Sequence, residues 1–148
     1  MYQRILIAID GSPLSNRGLE KGLELAAGLG AEVDILTVCE PWAVGMYDAM
    51  GWSAGYENTP KYLEDRRKQA MEVLEPAGAA AAAAGVKANL VHLVDRYAAD
   101  GIIEAIATHG SDLVVIASHG RRGLSRALLG SQTAEVLARA TVPVLVIR

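Results

Sequence analysis

Five apolar runs divide the chain of 148 residues, and each has the length of a β-strand. Residues 112–117 (DLVVIA) are apolar almost without a break, which is typical of a strand buried on both faces of a parallel sheet. The other runs are rich in valine, isoleucine and leucine, which favours extended structure at these lengths. The predicted strands are residues 4–9, 32–38, 86–94, 112–117 and 142–147.

The stretches between these runs carry helical signals instead. Residues 13–29 begin after Ser12, a favourable capping residue, have Pro13 in the first turn and are followed by Gly30, which suits a left-handed cap. Their apolar stripe comprises Leu14, Leu19, Leu23, Leu25 and Ala26. The other predicted helices are residues 60–84, which we expect Pro76 to kink or interrupt, residues 99–109 and residues 132–140.

The alternation of strands and helices predicts the fold. A crossover between parallel strands is right-handed and places its helix over the sheet. We therefore expect residues 1–148 to form one α/β domain, doubly wound and Rossmann-like, with a five-stranded, mostly parallel sheet and helices on both faces. Ligands of such sheets bind beyond the carboxyl ends of the strands, where the strand order reverses. This rule selects four candidate places: residues 10–12, 38–39, 95–96 and 117–133.

Composition excludes several classes of function. The formal net charge of -3 argues against a nucleic-acid partner, because such proteins carry a basic face. Cys39 is the only cysteine, which excludes an intramolecular disulfide or a thiolate zinc cluster and favours a reducing compartment. The first apolar run is too short for a signal peptide or a membrane span. We expect a cytoplasmic protein with no membrane partner.

Residues 117–133, ASHGRRGLSRALLGSQT, carry the clearest chemical signal. Gly120 allows close approach of the backbone to a ligand, and Gly130 precedes a predicted helix. The first N–H groups of a helix lack intrahelical partners and attract phosphate, and here they belong to Ser131, Gln132 and Thr133. Positive charge is added by Arg121, Arg122 and Arg126. These residues predict an anion site; alternatively, the glycines only shape a turn and Ser131 is an ordinary N-cap.

The spacing fits neither the P-loop nor the dinucleotide fingerprint. It resembles instead the universal stress protein (UspA) family, whose nucleotide-binding members share the signature G-x2-G-x9-G-[ST] between the fourth strand and the last helix. Gly120 matches the second glycine, residues 121–129 are the nine intervening positions, and Gly130 with Ser131 completes the signature. Ala117 stands at the place of the first glycine. The flanks SHGRRG and LLGS and the closing PVLVIR are also similar, so the resemblance covers essentially the whole chain.

This resemblance implies an ATP-binding regulator of stress response or energy status that forms a homodimer through its last strand, from Val142 to Ile147. A Mg²⁺ ion could bridge the phosphate oxygens. The implied contacts are Ala8, Ile9 and Asp10 beside the adenosine, Val38 in the adenine pocket, and Ile116 and Ala117 beside the sugar. The implied phosphate contacts are Gly120, Gly130, Ser131 and Gln132, with Arg121, Ser12 and Thr133 as further candidates.

Two other functions stay open. Ala117 at the position of a glycine fits a nucleotide-free dimerisation or scaffolding module of the same fold. A slow ATP hydrolase is the third hypothesis, with Asp10 as its base, although we interpret Asp10 as a residue that recognises the sugar. We assign no catalytic residue and no metal ligands, because His92, His109 and His119 lie in separate elements without ligand spacing.

The segment between the second strand and the second helix, residues 39–59, is predicted to be a long loop. It contains four of the chain's seven aromatic residues: Trp42, Tyr47, Trp52 and Tyr56. These rings either close over the ligand or cover the core or a partner subunit. The downstream protein partner is not predicted.

Overall fold

The computed structural model describes residues 1–41, 60–120 and 128–148. The predicted strands and helices are all present, and no end differs from its prediction by more than two residues. In chain order they are β1 (Arg4–Ala8), α1 (Pro13–Leu29), β2 (Glu32–Cys39), α2 (Pro60–Ala83), β3 (Ala88–Val94), α3 (Ala98–His109), β4 (Leu113–Ala117), α4 (Ser131–Arg139) and β5 (Val144–Ile147).

The five strands form one sheet in the order β3-β2-β1-β4-β5. Neighbouring strands run parallel throughout this sheet. The chain proceeds from β1 toward one edge and later returns to β4 on the other side of β1, so the order reverses between β1 and β4. Ala8 pairs with both Leu36 of β2 and Ile116 of β4, which brings the carboxyl ends of these three strands together. The doubly wound α/β fold is confirmed.

Helices cover both faces of the sheet because side chains alternate along each strand. One face packs against α1 and α2 through a core that includes Ile5, Ile7, Val33, Ile35, Val115, Leu19, Leu23 and Leu74. The opposite face packs against α3 and α4 through Leu6, Leu36, Val114, Ile116, Ile102, Ile106 and Val136. Each residue of β4 is buried, as its continuous apolar run predicts.

Helix α1 has the ends that its sequence predicts. Ser12 is the N-cap, and its Oγ accepts a hydrogen bond from the Ser15 N–H at 3.2 Å. Gly30 ends the helix in the left-handed conformation, with φ of 66°. These caps fix the direction in which the chain leaves β1 and returns to β2.

Pro76 was predicted to kink or interrupt the second helix, and the interruption is wrong. Helix α2 is continuous from Pro60 to Ala83, with Pro76 inside it. Proline in a helix interior costs about 3 kcal/mol. The residues around it offset that cost: Leu74, Ala77 and Ala81 are buried against the sheet, and the alanine tract has the highest helix propensity.

The amino end of the sheet holds a buried ion pair. Asp34 on β2 is fully buried and accepts hydrogen bonds from Arg4 Nε at 2.7 Å, Arg4 Nη2 at 3.1 Å and Asn89 Nδ2 at 3.1 Å. Its Oδ1 also lies 3.8 Å from His109 Nδ1. Burial alone would raise the pKa of the Asp34 carboxyl, but the hydrogen bonds from Arg4 and Asn89 outweigh it, and the pKa lies below its usual value.

Helices in the described ranges lack the combination of length and hydropathy that a membrane crossing requires.

Candidate functional site

The candidate site lies where β1 and β4 end side by side, at the reversal of strand order. Beyond β1, the Ile9 N–H continues the sheet by donating to Leu36 O at 2.9 Å. Beyond β4, the Ser118 N–H donates to Ile147 O of β5 at 2.7 Å. The next residues of the two strands, Asp10 and His119, leave the sheet. This crevice is the position at which doubly wound proteins bind ligands.

Asp10 is held in a tight turn at the start of α1. Its Oδ1 accepts the Ser12 N–H at 2.9 Å, and its own N–H donates to Ser15 Oγ at 3.2 Å. Gly11 has a φ of 81°, which a residue with a side chain rarely adopts. The carboxylate is therefore oriented by backbone and hydroxyl groups of its own turn.

The other carboxylate oxygen of Asp10 lies against the turn after β4. A Cβ atom at position 120 would be 2.4 Å from Asp10 Oδ2, so only glycine fits beside the carboxylate as it stands. Because Gly120 has no side chain, the turn after β4, which is predicted to bind phosphate, can lie against Asp10, which is predicted to bind the sugar.

Helix α4 begins at the same crevice. Its N-cap is Gly130, which has no side chain to cap the helix, so the alternative that Ser131 is the N-cap is wrong. The Gly130 N–H donates to Ser118 O at 2.8 Å, which fastens the helix start to the end of β4. The first intrahelical hydrogen bond joins the Ala134 N–H to Gly130 O at 2.9 Å. The N–H groups of residues 131–133 precede that bond and form the amide cluster at the helix start.

Two hydroxyls of the predicted site make hydrogen bonds within the protein. Thr133 Oγ1 donates to Ala117 O at 2.9 Å, and Ser12 Oγ caps α1 as described above. Both residues are buried. Their side chains position the two helix starts around the crevice.

Gln132 contacts a third helix. Its Oε1 accepts a hydrogen bond from the Ala99 N–H, in the first turn of α3, at 2.8 Å. The N-cap of α3 is Tyr97, whose side chain makes no capping hydrogen bond. Sequence reasoning missed this contact. The available signal was Tyr97 itself, because a helix that starts with a residue unable to cap needs an acceptor from elsewhere.

The remaining predicted residues divide between the two faces of the sheet. Ala8, Val38 and Ile116 lie on the face covered by α3 and α4, where they pack in the same cluster. Ile9 packs in the cluster of the opposite face, and strand alternation points Ala117 to that face as well. The side chains of Ile9 and Ala117 therefore lie on the side of α1, away from Ala8, Val38 and Ile116.

Val38 is in close contact with α3. A Cβ atom at Gly101 would lie 2.6 Å from Val38 Cγ2, so the backbone of the first turn of α3 presses directly on this side chain. Glycine at position 101 permits that approach. The predicted wall of the adenine pocket is thus shaped by the start of α3.

Asp95 and Arg96, which the strand-end rule also selects, lie at the end of β3, two strands away from β1. Asp95 has a φ of 57° and accepts the hydroxyl of the buried Tyr62 at 2.8 Å. Burial and this hydrogen bond raise the pKa of Tyr62. Arg96 pairs with Glu104 of α3 and donates to Val94 O at 2.6 Å. These contacts give the pair a structural role.

Some predicted residues lie outside the described ranges. They are Arg121, with its neighbours Arg122 and Arg126, and the four aromatic residues Trp42, Tyr47, Trp52 and Tyr56. Among the described residues, no group of three or more histidine, cysteine or acidic side chains could hold a metal ion.

Comparison with known proteins gives a consistent result over the whole chain. A family model described as the universal stress protein family matches residues 1–148. The universal stress protein YxiE of Bacillus subtilis is 31% identical over 153 residues, covering 100% of both chains.

Solved structures share the fold. UspA from Lactobacillus plantarum superposes with a TM-score of 0.80 at 19% identity and covers 99% of this chain and 98% of its own. A universal stress protein from Archaeoglobus fulgidus in complex with dAMP has a TM-score of 0.71 at 21% identity, covering 99% and 98%. A family protein from Arabidopsis thaliana with AMP bound has a TM-score of 0.66 at 18% identity, covering 98% and 90%.

Proposed function

Because the chain belongs to the universal stress protein family, we propose that it binds an adenine nucleotide, ATP in particular, in the crevice between β1 and β4. The observation that carries the proposal is the start of α4. Gly130 leaves the helix without a capping side chain, and its hydrogen bond to Ser118 O places the start of α4 beside the carboxyl end of β4. The dAMP and AMP held by two relatives of the same fold support an adenine nucleotide as the ligand.

The phosphates would bind at these amides. A helix N-terminus carries a partial positive charge as well as exposed donors, and both favour a polyanion. Charge-assisted hydrogen bonds contribute about 1.5 to 3 kcal/mol each. Three or four of them, less the cost of ordering the ligand, support a binding free energy of about -8 kcal/mol, which corresponds to micromolar affinity. A Mg²⁺ ion bound with the nucleotide would supply positive charge that offsets the charge of the phosphates.

The nucleoside would lie over the face that carries Ala8, Val38 and Ile116. These three residues offer apolar contacts on one side of the sheet, while the Asp10 carboxylate can accept hydrogen bonds from ribose hydroxyls. The methyl group of Ala117 lies on the side of α1, and its backbone oxygen is held by Thr133. Alanine in place of the first signature glycine is therefore compatible with binding on the opposite face.

We further propose a homodimer formed through β5, with stress or energy-status regulation as its role. Strand β5 is last in the sheet order, and an edge strand presents backbone groups that pair with another strand. Leu145 on this strand is exposed. A second copy that pairs along β5 would cover this leucine.

Titration calorimetry of Gly130→Val with Mg-ATP tests the binding site. A Cβ atom at position 130 would lie 3.3 Å from Ser118 O and His119 Cα, and the branched side chain would stand beside the amide cluster. We expect the affinity to fall by at least about 100-fold, the equivalent of losing one or two charge-assisted hydrogen bonds.

Gly28→Val is the matched control, because a Cβ atom at Gly28 of α1 has no neighbour within 4 Å. It should bind ATP like the parent protein, and light scattering should show both variants as dimers. ATP binding by Gly130→Val at the parental affinity would contradict the site. A parent protein that gives no heat with ATP and carries no co-purified nucleotide would favour the scaffolding alternative. Loss of the dimer in Gly130→Val would place this turn in the interface instead.

A further inference from the structure

The side chain of Gln132 connects the start of α4 to the start of α3. Its backbone N–H belongs to the amide cluster at the start of α4, while its Oε1 accepts the Ala99 N–H in the first turn of α3. Ala99 is fully buried, so its N–H cannot exchange this partner for water without opening the helix start. Gln132 therefore supplies the cap that Tyr97 does not.

The polarity of the Gln132 amide is fixed by this contact. A backbone N–H can only donate, so the group that faces Ala99 must be the oxygen. The two N–H bonds of Nε2 are then the donors that Gln132 can offer elsewhere. Residue 132 stands in the first turn of α4, where the proposed phosphates lie, and a phosphate oxygen is a strong acceptor.

The contact continues from Ala99 to the other end of the proposed site. Two residues further along α3, Gly101 presses on Val38, with a Cβ-to-Cγ2 distance of only 2.6 Å if a side chain were built there. If the first turn of α3 shifts, its backbone must therefore either press harder on Val38 or move away from it. The phosphate end and the base end of the crevice meet the same helical turn.

We propose that Gln132 is a positioning residue that couples phosphate binding at the start of α4 to the start of α3, so that nucleotide occupancy tightens α3 against Val38. This inference rests on the proposed nucleotide site and adds a means by which occupancy changes a second helix. Adenosine, which lacks phosphates, would occupy the base end without engaging Gln132.

Amide hydrogen exchange of the Ala99 N–H tests the coupling. Saturating Mg-ATP should slow this exchange by about 10-fold relative to the Ala140 N–H, which is bonded to Val136 O at the far end of α4, whereas adenosine should leave the ratio unchanged. Equal slowing by adenosine and ATP would overturn the role of Gln132. The role of Gln132 would also be overturned if calorimetry showed ATP binding while the ratio of Ala99 to Ala140 exchange rates stayed unchanged.

Two variants separate capping from coupling. Gln132→Glu keeps an oxygen for Ala99 but removes the Nε2 donors and adds a negative charge, so Ala99 should stay protected while the ATP-dependent slowing disappears and ATP affinity falls more than adenosine affinity. Gln132→Met removes both functions, and Ala99 should exchange fast with and without ATP. A retained ATP response in either variant would contradict the proposal.

Arg139→Met is the matched control. Arg139, at the end of α4, donates to Asp100 Oδ1 at 2.8 Å and so links the same two helices away from the amide cluster. This variant should keep the ATP-dependent slowing at Ala99, whereas its loss would assign the effect to helix docking in general. Failure of the parent protein to bind ATP at all would overturn the nucleotide site itself, an outcome that calorimetry distinguishes from a failure of the coupling.

Discussion

The two ends of the sheet differ in their polar groups: a buried carboxylate with its partners lies at the amino end, and the start of a helix lies in a crevice at the carboxyl end. At the amino end, Asp34 is fully buried and satisfied by Arg4 and Asn89, and the Asp112 carboxylate accepts the N–H groups of Gln3 at 2.8 Å and Arg4 at 3.1 Å. At the carboxyl end, α4 starts with a glycine and presents its first amides in a crevice. Backbone N–H groups are held by the Asp112 carboxylate at the amino end, whereas at the carboxyl end those of residues 131–133 are the groups that we propose for the ligand.

This difference separates stability from function within a single sheet. A buried polar group that has its partners contributes to a unique fold, whereas polar groups that a ligand must reach cannot be satisfied permanently by the protein. Substitutions at the amino end should therefore change the free energy of unfolding and spare ligand binding. Substitutions at the carboxyl end should do the reverse.

The largest effect is expected for Asp34→Ala. Removal of one partner of a buried ion pair costs about 3 to 5 kcal/mol, and Arg4 is partly exposed, so we expect the lower end of that range. Urea unfolding measures this change. Nucleotide affinity of the folded protein should stay within about 2-fold of the parent value, because the two ends of the sheet share no partners.

Glu24→Ala is the control for Asp34→Ala. Glu24 also forms an ion pair, with Lys21 at 2.7 Å, but both side chains are largely exposed on α1, and such pairs contribute little to stability. We expect no measurable change in the free energy of unfolding for Glu24→Ala. If Asp34→Ala lowered nucleotide affinity as strongly as it lowered stability, the separation of the two ends would be wrong.

Local signals made the elements predictable, whereas long-range contacts were not. The caps of α1 and the apolar run of β4 each depend on residues that are close together in the sequence, and the structure has both. The Gln132 contact spans 33 positions and the Asn89 contact to Asp34 spans 55, so each depends on which strands and helices become neighbours. The glycines of the proposed site could be selected from the sequence because their spacing itself carries the signal, and their role in binding stays a prediction.

Pro76 shows that a local signal can also predict a feature that long-range packing prevents. A local rule predicted a kink or an interruption, but the helix is continuous, with Ala77 and Ala81 buried against the sheet. Asp34 was missed because an acidic residue inside an apolar strand gives no indication of its partners. Arg4 and Asn89 become neighbours of Asp34 only once β1 and β3 flank β2.

Gly120→Ala probes the carboxyl end, with a smaller expected effect. The new Cβ would lie 2.4 Å from Asp10 Oδ2 and must displace the carboxylate or the turn. Displacement of the carboxylate weakens its hydrogen bond with the Ser12 N–H, so the free energy of unfolding should fall by about 1 kcal/mol. Nucleotide affinity should fall by about 10-fold, which corresponds to about 1.4 kcal/mol.

Gly28→Ala is the control for this substitution, since its Cβ meets nothing within 4 Å. Calorimetry with ATP and urea unfolding should be run on both variants. A Gly120→Ala protein that binds ATP normally but unfolds much more easily would show that Gly120 serves the fold rather than the ligand, and the contrast between the two ends would fail.

The smallest expected effect is a pH dependence of the free energy of unfolding, caused by Asp34 at the amino end of the sheet. The pKa of Asp34 is lowered in the folded protein, against about 3.9 in an unfolded chain, so its ionised form contributes stability above that value. This contribution is lost as the pH falls through the lower, folded pKa. Urea unfolding from about pH 7 down to about pH 3 should therefore show the stability gap between the parent and Asp34→Asn narrowing below about pH 4. Arg4, His109 and Glu32, the other titratable groups that interact with Asp34, remain in both proteins. A gap of constant size would therefore show that the charge of Asp34 is not what stabilises this end of the sheet.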